Sequence, residues 1–409
     1  LSQVIPMTGI PLKGPVSDSQ LQLNEDAGIK CAGGLVKSLD NYKKLASEVE
    51  DLDVQLIQLE GNHICLRGFV DSHTHICYGG SRARDYAMRN AGKTYLEIAD
   101  EGGGIWDTVQ QTRKATQKEL VKGILKRAKQ HLRNGVTTIE VKSGYGLSVE
   151  EELKMLNAIK IADNQSPLDF ISTCLAAHML PRDYNGNSSE YLSEIGQQLF
   201  PILKKDRLAN RIDAFIEKGA FNDAEITPYL TKAVEMGFDI TIHADQFSVG
   251  GSAVAVKFNA VSADHLEAST SHEIDLLAKS NVIATALPGA SLGLGCNFTP
   301  ARKILDAGCS LAIASDHNPG SAPMGDLLIQ AAILGTMEKL TNAEVLAGIT
   351  FRAAAALNLD DRGKLKPGYF ADFSLFHTSD FNEVLYNQGA FKPCMVFKKG
   401  KLIYDKHNP

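Results

Sequence analysis

Eight short β-rich segments recur through the middle of this 409-residue chain, and helical segments separate them. Most of these segments are continuously apolar in the middle, as parallel strands buried on both faces are. Alternating strands and helices of this number predict an α/β fold, a (β/α)₈ or TIM barrel over residues 66–350. An open doubly wound sheet is the alternative that the pattern leaves. The predicted strands are residues 68–72, 137–142, 169–177, 211–217, 239–243, 260–265, 282–287 and 310–315.

Helix signals lie between these strands. In residues 118–133, Leu120 and Ile124 fall on one face of a helix, and Gly135 follows as a stop signal. Elsewhere a hydroxyl residue stands three positions before a glutamate, which is the spacing of the capping box that begins a helix. Such pairs occur at Ser148 with Glu151, Thr270 with Glu273 and Thr341 with Glu344.

The two ends of the chain differ from its middle. Residues 1–65 are polar with short β-like pieces such as 54–59, and the C-terminal region contains β-like runs at 373–376 and 395–397. Each end alone is too short to bury a core, because small domains bury little of their surface. We therefore expect residues 1–65 and 351–409 to join in one small, discontinuous, sandwich-like β domain beside the barrel.

Composition limits the partners. The chain has 42 Lys and Arg against 48 Asp and Glu, a net charge of −6, which gives no sign of nucleic acid as a partner. No run of about 18 apolar residues is present to span a membrane. The seven cysteines are scattered without a Cys-x-x-Cys pair, which is typical of reduced thiols inside the cell. We expect a cytoplasmic protein that acts on a small molecule.

Histidines gather at the ends of the predicted strands, where a barrel of this kind carries its active site. Six of the 11 histidines lie at or just beyond these ends, which chance placement does not explain. They are His73, His75, His178, His243, His265 and His317.

A metal site is the chemistry that these residues favour. His73 and His75 are two residues apart, so on a strand they project to the same face. His243 would supply a third nitrogen and Asp316 an oxygen. Such a set suits one divalent ion such as Zn²⁺, although Fe²⁺ or Mn²⁺ would also accept it. The alternative is a group of polar residues at the barrel mouth that binds no ion.

Several motifs resemble one known family. Residues 69–75 (FVDSHTH), with the later His, His and Asp and the split β domain, resemble the amidohydrolase superfamily. Within it, the resemblance is to the imidazolonepropionase family and spans about residues 60–325. The motifs that carry it are YGGSR at 78–82, GGGI at 102–105, KSGYGL at 142–147, AH at 177–178, HAD at 243–245, VSADHL at 261–266 and DHNPGS at 316–321.

The resemblance implies hydrolysis of the ring amide of 4-imidazolone-5-propanoate to N-formimidoyl-L-glutamate, a step in histidine degradation. It implies a homodimer and one bound Zn²⁺ or iron ion (Fe²⁺ or Fe³⁺) per subunit, with the ligands His73, His75, His243 and Asp316. It implies catalytic roles for His265 or Asp316 as the base and for His178 as a donor to the oxyanion. The implied substrate contacts are Arg82, Tyr145, His178, Gln246, Asn318, Gly320 and Ser321.

One position departs from some members of the family, because Gln246 stands where they have Glu. A glutamine cannot take up a proton at neutral pH, so acid–base work falls to His265 or Asp316. Guanine- or cytosine-type deaminases are the rival enzymes, but they depend on that Glu and need no arginine for a carboxylate. A catalytically inactive barrel is the other rival, and it is expected to have lost metal ligands.

Arg82 is expected to bind the propanoate, because a guanidinium matches a carboxylate in a two-pronged geometry. A surface arginine is the alternative. The glycines at 102–104 resemble a phosphate cradle, but no Lys-Ser/Thr pair follows them, so an active-site loop is favoured. Relatives that bind two metal ions place a bridging lysine at the end of the fourth strand. Lys218 lies one residue beyond the predicted end of that strand, which favours a single metal ion.

Overall fold

A computed structural model describes residues 1–48, 54–94, 97–98 and 101–407. Strands are labelled β1 to β16 in chain order. The N-terminal region supplies the first five, together with two short helical elements. These are β1 Gln3–Ile5, β2 Asn24–Glu25, β3 Ala27–Ala32, β4 Leu35–Asn41 and β5 Ile64–Arg67, with the 3₁₀ turn Asp18–Gln20 and the helix Tyr42–Glu48.

The predicted barrel is confirmed. Eight parallel strands follow one another in one sheet, and each lies within two residues of its predicted bounds. Backbone hydrogen bonds of 3.0 Å, from Asp316 N to His73 O and from His75 N to His317 O, connect the first and last strand ends. The strands are β6 Phe69–Asp71, β7 Val136–Lys142, β8 Asp169–Ala177, β9 Arg211–Ile216, β10 Asp239–Ala244, β11 Ser262–His265, β12 Ile283–Ala286 and β13 Leu311–Ile313.

Helices cover the outside of the barrel. The helix Gln117–Arg133 buries Leu120 and Ile124, as predicted. Thr270 and Thr341 form two of the three predicted capping boxes, whereas Ser148 only accepts the backbone N–H of Glu151. In the described ranges no helix is long and apolar enough to cross a membrane. The other helices of this region are Ala83–Asn90, Ile105–Lys114, Val149–Gln165, Ser188–Asp206, Asp223–Glu235, Gly251–Lys257, Ser271–Ala278, Pro288–Leu294, Ala301–Asp306, Leu327–Glu338, Asn342–Gly348 and Phe351–Ala355.

Both ends of the chain build additional β structure, as predicted. The C-terminal region adds β14 Phe373–Phe376, β15 Met395–Lys398 and β16 Lys401–Asp405, with the short helix Asn382–Tyr386. With three N-terminal strands they form a six-stranded sheet in the order β16-β15-β14-β5-β1-β2. β3 and β4 pair in a separate two-stranded ribbon.

The prediction of a β-like piece at 54–59 is wrong, since these residues form no strand. Val54, Leu56 and Ile57 are 47%, 58% and 46% exposed. Strand β5, which follows shortly after, is already paired with β1 on one edge and with β14 on the other. Residues 54–57 therefore cannot pair with β5.

Charged residues join the terminal sheet to the barrel. Asp169, at the start of β8, lies 2.7 Å from Lys398 Nζ and 2.8 Å from Arg362 Nη1. Lys398 Nζ also lies 2.8 Å from Asp372 Oδ2. These pairs lie at the N-terminal end of the barrel strands. In folds of this kind that end contributes to stability, and the active site lies at the opposite, C-terminal end.

Candidate metal and substrate site

The predicted metal ligands meet at the C-terminal mouth of the barrel. His73 and His75 follow β6, His243 lies in β10 and Asp316 follows β13. Their side chains are at most 4% exposed. Because all eight strands end on the same side, segments far apart in sequence deliver these side chains to one point.

Four of the six spacings among the potential ligand atoms are close to those of a tetrahedral site. His75 Nε2 is 3.1 Å from His73 Nε2, 3.2 Å from His243 Nε2 and 3.5 Å from Asp316 Oδ1. His73 Nε2 is 3.6 Å from the same oxygen. Atoms held at about 2.0–2.1 Å around one tetrahedral ion lie about 3.3–3.4 Å apart. The observed spacings bracket this value, so the residues present fit a metal ion.

The protonation of these rings supports the fit. His73 Nδ1 lies 2.7 Å from Asp264 Oδ2, and His243 Nδ1 lies 2.9 Å from Asp213 Oδ2. A carboxylate accepts hydrogen bonds, so the proton of each neutral ring belongs on Nδ1 and leaves a lone pair on Nε2. Lone pairs that face one another at this distance repel unless a cation lies between them.

Asp213 and Asp264 are residues of the candidate site that the sequence analysis did not single out. Each lies in a buried barrel strand and is at most 1% exposed. Each contacts the Nδ1 of a candidate ligand from behind, which is the usual place of a carboxylate next to a ligating imidazole. The sequence does carry a signal for them, which is a charged residue inside an apolar strand. Such a residue needs a partner when the strand is buried.

Lys142 joins these two carboxylates. Its Nζ lies 2.8 Å from Asp213 Oδ2, 2.8 Å from Glu140 Oε2 and 3.9 Å from Asp264 Oδ2, and the side chain is fully buried. Although burial alone lowers its pKa, the adjacent carboxylates raise that pKa above its ordinary value, so the ammonium form is retained. One buried cation therefore supports the acids behind two candidate metal ligands.

Burial shapes the charge of the ligands themselves. It lowers the pKa of His73, His75 and His243 and raises the pKa of Asp316 to about 6. Neutral imidazoles are the form that binds a metal ion, because protonation would occupy the lone pair.

We expect Lys142→Met to weaken metal binding. The variant removes the charge that holds Asp213 and Asp264 in place, and loss of such supporting groups costs about 10–100-fold in metal affinity. The measurement is the Zn²⁺ dissociation constant, by competition with a chromogenic chelator. Lys257→Met, at an exposed lysine that pairs with Asp223, is the matched control. Equal affinities in a folded Lys142→Met variant would contradict this role.

His265 lies beside the metal ligands at the end of β11. A ligand nitrogen of its ring lies within 4.8 Å of those of His73 and His243. His265 Nδ1 is 3.4 Å from Glu267 Oε2, and this carboxylate raises the pKa of the ring above its ordinary value although burial opposes the shift. The sixth strand-end histidine, His317, instead pairs with His131 at 2.9 Å, away from this group.

Tyr145 lies in a loop that Glu152 organises. The buried Glu152 carboxylate accepts the backbone N–H of Gly144, Gly146 and Leu147 at 2.8–3.1 Å. The tight turn needs Gly144, whose φ is 108° and whose missing Cβ would lie 2.9 Å from Leu175 Cγ. This loop brings the Tyr145 ring within 6.0 Å of the His75 ring. Sequence reasoning did not find Glu152.

His178 faces the same space. Its ring lies 5.4 Å from the Tyr145 ring and stacks on His75 at 5.7 Å. Nδ1 donates to Gly144 O at 2.9 Å, and burial lowers the pKa of the ring to about 4. The neutral ring therefore carries its proton on Nδ1, and Nε2 is an acceptor.

Arg82 lines a cleft at the barrel mouth. The cleft has a volume of about 240 Å³, and its walls include Tyr78, Ser81, Tyr86 and Gly320. Arg82 is 11% exposed and lies immediately before the helix Ala83–Asn90. The guanidinium therefore borders open space next to the loop that follows β13.

The loop that follows β13 is held by Asn318. Its side-chain oxygen accepts Gly320 N at 2.7 Å and Ser321 N at 2.8 Å, and its amide donates to Asp316 O at 2.8 Å. Ser321 Oγ lies 3.4 Å from Asp316 Oδ2. Asn318, Gly320 and Ser321 thus lie together, between the metal ligand Asp316 and Arg82.

Gln246 is half-buried in the loop that follows β10. The residues on either side of it are fixed, because Glu217 accepts the N–H of Phe247 at 2.8 Å and Asp245 accepts that of Gly250 at 2.9 Å. The structure records no hydrogen bond from the Gln246 side chain to another described residue. Lys218 is exposed and does not join the metal ligands.

Comparison with known proteins bears on the family. The amidohydrolase family model matches residues 64–403. The chain is 40% identical over 377 residues to the imidazolonepropionase of Fusobacterium nucleatum, covering 92% of this chain and 89% of the relative. It is 39% identical over 379 residues to that of Bacillus cytotoxicus, with coverage of 92% and 89%. It is 36% identical over 391 residues to that of Acinetobacter baumannii, with coverage of 95% and 96%.

Solved structures agree on the fold. A triazine hydrolase from Arthrobacter aurescens superposes with a TM-score of 0.75 at 16% identity, over 100% of this chain and 94% of its own. A zinc-bound adenosine deaminase from Xanthomonas campestris superposes with a TM-score of 0.71 at 18% identity, over 99% and 92%. Identities this low speak for the fold alone. The curated relatives are far more similar in sequence, and the chain belongs to the amidohydrolase family and, within it, to the imidazolonepropionases.

Proposed function

We propose that this chain hydrolyses the ring amide of 4-imidazolone-5-propanoate to N-formimidoyl-L-glutamate, in histidine degradation. The observation that carries the proposal is the convergence of three imidazole nitrogens and Asp316 Oδ1 at the same barrel mouth as the Arg82 cleft. The set of imidazole nitrogens and a carboxylate oxygen suits metal-assisted hydrolysis, and the cleft beside Arg82 suits a substrate with a carboxylate. Relatives that carry the name imidazolonepropionase and match 92–95% of the chain support the same substrate.

The proposed cofactor is one metal ion, Zn²⁺ or iron as Fe²⁺ or Fe³⁺, held by His73, His75, His243 and Asp316. When bound, such an ion lowers the pKa of a water ligand to about 7 and polarises a carbonyl oxygen. The exposed position of Lys218 supports one ion over two.

The substrate is held at its two ends. The terminal nitrogens of Arg82 would bind the propanoate in a two-pronged geometry. Tyr145 and Gln246 would border the imidazolone ring, and Asn318 would shape the loop from which Gly320 and Ser321 contact the substrate. Fixing the ring and the chain together aligns the amide carbon for attack by water, which is the main gain from positioning.

Two histidines would handle protons and hydrogen bonds. His265 Nε2 would take the proton from the attacking water while Nδ1 faces Glu267, and it would return that proton to the ring nitrogen as the C–N bond breaks. Asp316 is the other candidate base. Neutral His178 would accept an N–H of the ring through Nε2. Donation from His178 to the oxyanion, which the family resemblance implies, would require the protonated ring.

A deaminase of the guanine or cytosine type is the alternative enzyme. Two residues argue against it, since Gln246 cannot take up a proton and Arg82 offers a charge that a flat base does not need. An inactive barrel is disfavoured because all four candidate ligands are present and buried at the same mouth.

The test is turnover by the metal-loaded protein. We expect loss of the imidazolone absorbance at the rate at which N-formimidoyl-L-glutamate appears by mass spectrometry. Guanine and cytosine are the comparison substrates. No turnover of 4-imidazolone-5-propanoate, or release of ammonia from a base, would contradict the substrate assignment.

The proposed protein is a cytoplasmic homodimer. A cytoplasmic location accords with the seven cysteines, which are all free thiols. A homodimer is proposed from the family, and the molar mass of the purified protein by light scattering tests it. A mass of one chain of 44.2 kDa would contradict the dimer.

A further inference from the structure

Asp85 lies behind the Arg82 guanidinium. Its Oδ2 accepts a hydrogen bond from Arg82 Nε at 2.5 Å, and its side chain is 5% exposed. Asp85 is in the first turn of the helix Ala83–Asn90, where the helix dipole favours a negative charge. The pair spans a single helical turn, so the backbone itself sets its geometry.

The glycine-rich loop holds Asp85 from the other side. Gly104 N donates to the same Oδ2 at 2.9 Å. Gly103 lies so close that an added Cβ would be 2.6 Å from Asp85 Oδ1 and 2.7 Å from Ile98 Cγ2. Gly104 has a φ of 81°, a conformation that side chains rarely adopt. The glycine motif is therefore required for the loop backbone to reach this carboxylate.

No described residue forms a hydrogen bond or ion pair with the terminal nitrogens of Arg82. Because Nε is committed to Asp85, the terminal nitrogens form the outer edge of the guanidinium, the edge that binds a carboxylate in two prongs. Nη1 lies next to Gly320, where an added Cβ would be 2.8 Å away. The free edge therefore lies on the side of the cleft and of the loop after β13.

We propose that Asp85, held by the Gly102–Gly104 loop, is a positioning residue that fixes the Arg82 guanidinium for the carboxylate of the substrate. The inference deepens the proposed function and rests on it. Arg82 without Asp85 can leave the cleft and adopt other rotamers, so each binding event must first order the side chain. Asp85 itself does not contact the substrate.

The experiment measures binding of two ligands to the metal-loaded protein by calorimetry. Imidazole-4-propanoate carries the carboxylate, and 4-propylimidazole does not. We expect Asp85→Ala to weaken binding of the first ligand by about tenfold, the cost of ordering a freed side chain plus a lost charged partner. Binding of 4-propylimidazole and metal content should stay unchanged. Asp85→Asn, which keeps the shape, should fall between wild type and Asp85→Ala.

A double variant separates positioning from general structure. In the Arg82→Ala background, Asp85→Ala should have no further effect on either ligand, because its partner is gone. Gly103→Ala should act like Asp85→Ala in the wild type and should likewise lose its effect in that background. Glu101→Ala, at an exposed acid that pairs with Arg84 and Lys93, is the matched control.

Three results would overturn the inference: equal weakening of both ligands, an undiminished effect of Asp85→Ala without Arg82, or no effect of either Asp85 variant. Failure of the proposed function is distinguishable. It would appear as wild-type protein that binds imidazole-4-propanoate through Arg82 and Asp85 but does not turn over the imidazolone.

Discussion

His243→Ala is expected to lose both the bound metal ion and hydrolysis. His243 Nε2 lies 3.2 Å from His75 Nε2, and its Nδ1 lies 2.9 Å from Asp213 Oδ2, so both ring nitrogens face groups of the candidate site. Alanine removes one of the four candidate ligands, while Asp213 keeps its ion pair with Lys142. Loss of the ion removes the activation of water, so turnover should fall at least about a thousandfold, equal to about 4 kcal/mol.

The measurement combines elemental analysis with turnover of 4-imidazolone-5-propanoate. His272→Ala is the matched control, because His272 is exposed and lies at the start of the helix Ser271–Ala278. The control should keep full metal content and activity. A His243→Ala variant with a full complement of metal would refute this ligand.

Arg82→Ala is the second large effect that we expect. The guanidinium is 11% exposed, so its ion pair with a carboxylate would be shielded from water. Loss of two charge-assisted hydrogen bonds costs about 3 kcal/mol, which corresponds to about a hundredfold in kcat/KM. Most of the loss should appear in KM, because Arg82 binds the carboxylate equally well in the ground state and in the transition state. Arg82→Lys should recover only part of it, since an ammonium offers no planar pair of donors.

Steady-state kinetics on the metal-loaded variants checks this prediction. Arg84→Ala, two residues away with a side chain that is 67% exposed, is the control and should leave KM unchanged. An unchanged KM in Arg82→Ala would show that another group binds the propanoate.

The convergence of the four candidate ligands could be predicted from the sequence because each stands where an apolar strand ends. His73 and His75 follow one strand, and the barrel topology carries His243 and Asp316 to the same mouth. Long apolar runs mark buried parallel strands, and the alternation with helices leaves few ways to arrange them.

The groups behind the ligands were not predicted, for a physical reason. Lys142, Asp213 and Glu140 sit inside apolar strands, and nothing in one strand shows which charge on another lies 2.8 Å away. Their presence in buried strands is itself a signal, because an unpaired charge would not be tolerated there. Glu152 gives a weaker signal, since it looks like any acid in the first turn of a helix.

The strand predicted at 54–59 does not form, also because of contacts that the local sequence does not show. Val54 and Ile57 have β-forming side chains, but a strand also needs an unpaired neighbour, and β5 has none to offer. Local preference was outweighed by the pairing of β5 with β1 and with β14 from the opposite end of the chain.

The most direct test of the account is a metal titration of the chelator-treated protein with turnover as the readout. Zn²⁺ or Fe²⁺ is added in steps, and hydrolysis of 4-imidazolone-5-propanoate is followed at each step. We predict negligible turnover without metal and a linear rise that saturates at one ion per chain. Full turnover in metal-free protein, or no turnover when every chain holds a metal ion, would contradict metal-dependent hydrolysis by this chain.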